Sequence, residues 1–177
     1  TWTTHIVPFS LPNKTIRTHY IKLTDTDNDG DLDILSYASS GASIFLNENL
    51  GDGTNWTTHL LADEAFGANN MIPEDMDGDG DIDIVASILS TVDFQRTLFW
   101  HENQGNSTNW PTHQIESAGS GDLISAADIN NDGNIDLFQE SNGELTWNEN
   151  KGNGSWINHS IMTLENDIWT MVSTDID

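Results

Sequence analysis

The residues best placed to do chemistry are carboxylates set at alternate positions around a glycine. They read Asp25-Thr-Asp27-Asn-Asp29-Gly30-Asp31-Leu-Asp33 and Asp75-Met-Asp77-Gly-Asp79-Gly80-Asp81-Ile-Asp83. A third copy is Asp128-Ile-Asn130-Asn-Asp132-Gly133-Asn134-Ile-Asp136, and a fourth begins at Asp175-Ile-Asp177. Like charges so crowded repel one another unless a cation lies among them. Oxygen-only ligands in this number suit a hard ion with a large coordination shell, calcium before magnesium or zinc. Positions 1, 3, 5 and 9 offer side-chain oxygens. Position 7 (Asp31, Asp81, Asn134) is expected to offer its backbone carbonyl and leave its side chain to solvent. The glycine at position 6 allows the turn that brings the early ligands around one ion. The expectation is one calcium ion for each of the three complete loops, with the third weakest because Asn130 replaces an aspartate. An EF-hand is excluded by position 12, where a bidentate glutamate is required and Ser36, Ala86 and Gln139 stand.

The net charge of -24 reflects this chemistry. Fifteen of the 29 acidic residues fall in the four loop copies, so 14 acids against 5 bases, or -9, describe the rest. Such acidity argues against nucleic acid and anionic membranes as partners. No apolar run is long enough to span a bilayer. No signal peptide stands at the start, as in a mature or trimmed product. With no cysteines the redox compartment is silent, but calcium loops in series favour an extracellular or cell-surface setting, where weak sites still fill.

The loops recur at spacings of 50, 53 and 47 residues, and two further motifs keep step with them. One is Trp2-Thr-Thr-His5, Trp56-Thr-Thr-His59, Trp110-Pro-Thr-His113 and Trp156-Ile-Asn-His159; the other is Asn47-Glu48-Asn49, Glu102-Asn103 and Asn148-Glu149-Asn150, each followed by a glycine-containing turn. Each unit of about 50 residues divides into four short runs rich in Ile, Leu, Thr and aromatics, at about 16–24, 32–39, 43–48 and 56–62 in the first. This predicts an all-β chain of β-propeller blades, each of four antiparallel strands, with a stacked parallel solenoid as the alternative. The boundaries are 1–12 for the last strand of a preceding blade, 13–64, 65–117 and 118–163 for three complete blades, and 164–177 for the start of another. Three complete blades and two partial ones imply part of a larger propeller or array.

With the D-x-D-x-D-G-x-x-D loop recurring at blade spacing, the chain resembles the FG-GAP, or VCBS-type, repeat, whose best-known members form the seven-bladed propeller of integrin alpha subunits. The resemblance spans essentially the whole chain. It implies that each loop joins the first two strands of a blade and binds calcium through Asp25, Asp27, Asp29 and Asp33; Asp75, Asp77, Asp79 and Asp83; and Asp128, Asn130, Asp132 and Asp136. Asp175 and Asp177 would open a further site.

The repeated tryptophans and histidines invite a sharper reading as sugar platforms or a second metal site. Histidines at equivalent points of separate blades cannot converge on one ion. The favoured expectation is that Trp56, Trp110 and Trp156 pack between blades, the histidines satisfy local hydrogen bonds, and Trp100 and Trp147, with the residues that follow each, form a strand end and its turn. Sequons stand at Asn13, Asn55, Asn106, Asn153 and Asn158, of which Asn55, Asn106 and Asn153 fall in the same turn of successive units. No nucleophile or phosphate-binding motif accompanies them, so an enzyme is not expected. The resulting expectation is a structural, adhesive or scaffolding role, with a protein or glycan ligand at the cell surface or self-association into a larger assembly. The alternatives are a propeller lectin or a non-catalytic module of a polysaccharide-active enzyme.

Overall fold

A computed structural model describes residues 17–39, 42–68, 70–90, 94–105, 109–115, 123–141, 143–165 and 171. The segments 1–12 and 166–170 and 172–177, with Trp2, His5, Asn13, Asn106, Asp175 and Asp177, lie outside the described residues. Strand-forming runs separated by glycine and asparagine turns become twelve β-strands, and the described residues contain no helix.

The first sheet holds β1 (Thr18–Thr24), β2 (Asp33–Ala38), β3 (Ser43–Asn49) and β4 (Trp56–Ala62). The second holds β5 (Met71–Glu74), β6 (Asp83–Leu89), β7 (Arg96–His101) and β8 (Thr112–Ile115). The third holds β9 (Leu123–Ala127), β10 (Asp136–Ser141), β11 (Glu144–Asn150) and β12 (Trp156–Thr163). Every sheet is an antiparallel meander in chain order. The predicted strands of the first unit match to within two residues. Parallel pairing, which a stacked solenoid requires, is absent from these three sheets.

The inner strands β2 and β3 are buried along almost their whole length, whereas β4 buries little. This follows from stacking: a strand covered on both faces reads as a continuous apolar run, and an outer strand keeps one face for water. Strand β6 shows the two faces of the middle sheet. Ile84 and Ala86 join Leu35, Tyr37, Ile44 and Leu46 of the first sheet in one core. Val85, with Leu98 and Ile115, joins Ile124 and Leu137 of the third sheet in another. The middle sheet is therefore packed on both sides, and the two cores lie between sheets rather than within one.

Trp110 packs against the first core and Trp156 against the second, the role expected from their spacing. The three described histidines of that motif hold local partners. The Nε2–H of His59 donates to Glu48 at 2.7 Å, that of His113 to Glu102 at 2.6 Å, and that of His159 to Glu149 at 2.9 Å. His159 and His113 also lie against Trp147 and Trp100, with ring centroids 4.5 and 4.7 Å apart. Each thus bridges the outer strand to the third strand of its own sheet.

Polar contacts also cross between sheets. The buried Asn103 amide donates to the carbonyl of Thr26 at 2.9 Å, and the buried Asn150 amide donates to the carbonyl of Met76 at 3.0 Å. In both cases the last residue of the shared Glu-Asn pair (Glu102-Asn103, Glu149-Asn150) reaches back to position 2 of the preceding acidic loop. This motif is therefore a link between units, more than the strand end and turn expected of it. Replacing Asn150 by alanine leaves the Met76 and Ile135 carbonyls without their donor and the Gly152 N–H without its acceptor. The expected loss is about 2–4 kcal/mol. Urea unfolding of Asn150→Ala checks it, and an unchanged midpoint would show that the link carries no stability.

Candidate metal centre

Each acidic loop folds on its own side chains before any ligand is considered. The position-1 carboxylate accepts the N–H of positions 5 and 6: Asp25 from Asp29 and Gly30 at 3.1 and 3.0 Å, Asp75 from Asp79 and Gly80 at 3.1 and 3.0 Å, and Asp128 from Asp132 and Gly133 at 3.1 and 2.9 Å. Position 3 then accepts from position 5, and position 5 from position 7, in all three loops. Short Asp and Asn side chains are the residues that can turn back on their own backbone in this way. The glycine at position 6 takes φ values of +94°, +98° and +91°, a region closed to most residues.

The ladder aims carboxylate oxygens at a common point. Ligand oxygens of Asp25, Asp27 and Asp29 lie within 4.8 Å of one another, as do those of Asp75, Asp77 and Asp83. The first two loops thus assemble acidic trios that could hold a metal ion. Asp33 is not a member of the first trio, nor Asp79 of the second. Among the described residues the third loop brings no such trio together. Its Asn130 amide instead donates to Asp132 at 3.0 Å and to Glu149 at 3.1 Å, turning a hydrogen-bond donor toward groups that would face a cation.

Position 9 does more than face the loop. The carboxylate is fully buried in all three units and binds two backbone N–H groups from different strand connections. Asp83 accepts from Met76 at 3.0 Å and from Asn103 at 2.7 Å. Asp136 accepts from Ile129 at 3.3 Å and Asn150 at 2.7 Å, and Asp33 from Thr26 at 2.9 Å and Asn49 at 2.8 Å. The Thr26 hydroxyl adds a further hydrogen bond to Asp33. This residue therefore ties the start of the loop to the end of the third strand.

The charge state follows from this placement. Burial pushes the Asp83 carboxyl up to about 6, against the pull of the Asn103 and Met76 N–H groups. Burial also raises Asp136. Asp27 and Asp77 are raised by burial and by neighbouring carboxylates, among them Asp29 and Glu48 for the first, and Asp79 and Glu102 for the second. Glu48, Glu102 and Glu149, singled out in the sequence only as part of a turn, thus stand close enough to the loops to add to their negative field. Their signal was the fixed step between the Asn-Glu-Asn motif and the loop.

Position 7 departs from expectation. Its side chain leans over the turn between the third and fourth strands rather than standing free in solvent. A Cβ on Gly105 would meet Asp81 Oδ2 at 2.8 Å, and one on Gly152 would meet Asn134 Oδ1 at 2.5 Å. Asp31 and Gly51 repeat the approach at 3.5 Å. Of the possible glycosylation sites, Asn55 and Asn153 lie on exposed turns, whereas Asn158 is part of β12 and its amide donates to Asn148 at 2.8 Å.

Residues 25–86, which hold the first two acidic loops, match the family model of the FG-GAP-like repeat, consistent with an FG-GAP-type repeat protein. No curated protein matches the chain.

The raised Asp83 pKa has a definite sign. A carboxyl that holds its proton more tightly when folded than when unfolded favours the fold at low pH, and that contribution is lost as pH rises from about 4 to about 6. Buried His101, lowered by burial to about 4, works in the opposite direction over the same window. Bulk stability would blend the two, so the test reads the carboxyl itself. In chelator-treated protein the Asp83 side-chain carbon should titrate near 6 by NMR, and added divalent cation should abolish that step.

Proposed function

We propose that this chain is a calcium-binding region of a β-propeller of the FG-GAP/VCBS kind, in which each four-stranded sheet is a blade. The observation that carries the reading is the convergence of Asp25, Asp27 and Asp29, and of Asp75, Asp77 and Asp83, on points where only oxygen ligands meet. The donor set fits calcium: carboxylates without sulfur or imidazole, on a loop whose backbone already holds them in place. Burial raises the proton affinity of Asp27, Asp77 and Asp83, neighbouring carboxylates add to it, and a divalent cation would relieve that repulsion. The packing of the middle sheet on both faces is what radial repetition of blades requires.

In this reading the ion pins the first two strands of a blade through Asp25, Asp27 and Asp29, or through Asp75, Asp77 and Asp83. The resulting rigid body presents its loops to a protein or glycan ligand outside the cell, or to further copies of itself. The role is structural, adhesive or scaffolding. Carboxylates committed to cations are poor general acids, which favours a non-catalytic module. Asp128, Asp132 and Asp136 form the weakest site, since Asn130 brings one carboxylate fewer.

Thermal unfolding with chelator and with calcium tests the assignment. A site filled to about a thousand times its dissociation constant adds about 4 kcal/mol, so calcium should raise the midpoint by many degrees. The variant Asp75→Asn should lose a large share of that rise, and its equivalent in the third loop, Asp128→Asn, a smaller one. An unchanged midpoint in the unsubstituted protein would remove calcium from the account. A glycan array in calcium then separates a sugar ligand from a protein one.

A further inference from the structure

Successive acidic loops touch, and they do not touch equally. The side-chain amide of Asn28, position 4 of the first loop, donates to the carbonyl of Gly80, position 6 of the second, at 2.7 Å. The Asn103 amide adds a second bridge between these units through Thr26, at 2.9 Å. Between the second and third units the equivalent of the Asn103 bridge is kept by Asn150 and Met76, at 3.0 Å. The equivalent of the Asn28 bridge is missing, because position 4 of the second loop is Gly78. Both residues take the same left-handed backbone, with φ of +58° at Asn28 and +77° at Gly78. Asparagine is among the residues that tolerate this region, so the two differ in the side-chain donor and not in the path of the chain.

We infer that position 4 sets how strongly neighbouring loops are coupled, so that cation binding at the first loop tightens the second through Asn28, while the second and third lack that path. Asn28 is a positioning residue. It touches no ligand oxygen of the second loop and acts by holding the Gly80 apex, whose N–H is bound to Asp75 at 3.0 Å. Its own backbone lies between Asp27 and Asp29, so filling the first loop fixes the donor, and the fixed donor lowers the ordering cost of the second. Such a coupling is reciprocal: each loop tightens the other by the same factor. The inference rests on the loops being cation sites, as proposed above.

The test exploits the natural difference between the loops. The amide signals of Gly30, Gly80 and Gly133 report one loop each, since each N–H binds the first aspartate of its own loop. Calcium titrations of the full chain followed by NMR give a midpoint for every signal. Asn28→Gly installs the residue that the second loop already carries, so the backbone is not strained. It should move the Gly80 midpoint to about two- to tenfold higher calcium, the range one net hydrogen bond supplies. Gly78→Asn is the reverse change: a Cβ there meets nothing within 4 Å, and the new amide should reach the third loop and lower the Gly133 midpoint. A variant Asn28→Gly that moves only Gly30, or a variant Gly78→Asn that leaves Gly133 unmoved, would overturn the coupling while leaving the cation sites intact. If calcium moves none of the three signals in the unsubstituted chain, the cation reading itself fails and the coupling with it.

Discussion

Everything in a unit hangs from one buried carboxylate. Asp33, Asp83 and Asp136 each sit at the first position of the second strand, shielded from water, with one oxygen on the loop backbone and the other on the end of the third strand. A buried charge is costly unless its hydrogen bonds are met, and here two backbone donors from separate connections meet them. The carboxylate and its two backbone donors thus satisfy one another. The loop can then extend toward solvent, with Asp27 and Asp29 of the first unit and Asp77 and Asp79 of the second exposed, because its root is fixed.

The same requirement of paired polar groups is what joins the units. Asn103 and Asn150 use their backbone N–H on the carboxylate of their own unit and their side-chain amide on a carbonyl of the preceding one. Their side-chain oxygens accept from the glycines that follow, Gly105 and Gly152. One asparagine thus closes a strand, caps a turn and fixes the neighbouring sheet, at the edge of an apolar core that lacks directional constraints of its own. Hydrophobic contact alone would let two sheets slide; the amide at a fixed position in each repeat sets their offset.

Repetition is not identity, and the departures have physical consequences. The third loop exchanges a carboxylate for the Asn130 amide, which turns to Glu149 and Asp132 as a donor. Lys151 adds a cation beside Glu149 at 2.7 Å, and the Glu149 carboxyl falls below its ordinary value through that bond and the one from His159. The electrostatic field around the third loop therefore differs from that of the first two, although its backbone hydrogen bonds are the same. Glu48, Glu102 and Glu149 hold the outer strand through histidine and stand beside the loop, so the edge of each sheet and its acidic turn share one charged neighbour.

Much of this was legible in the chain. The alternation of aspartates around a glycine determined the loops, because only short side chains returning to their own backbone can fold such a sequence into a turn. The spacing of the units and the apolar runs between them determined four antiparallel strands per unit, and the periodicity marks Trp56, Trp110 and Trp156 as packing residues, a role that Trp110 and Trp156 take against the two cores. What needed the tertiary structure was every contact between residues far apart in sequence. The carboxylates Asp83 and Asp33 look like loop ligands in a linear reading, yet they are anchors as well, because strand pairing brings Asn103 and Asn49 to their second oxygen. Asn103 and Asn150 look like turn residues, yet they link sheets, because stacking places carbonyls of the previous unit above them. Asn28 and Gly78 occupy equivalent, unremarkable positions until two loops are set side by side. Sequence fixes local geometry through short-range hydrogen bonds and side-chain shape. Which distant donor meets which acceptor is decided only when the sheets pack.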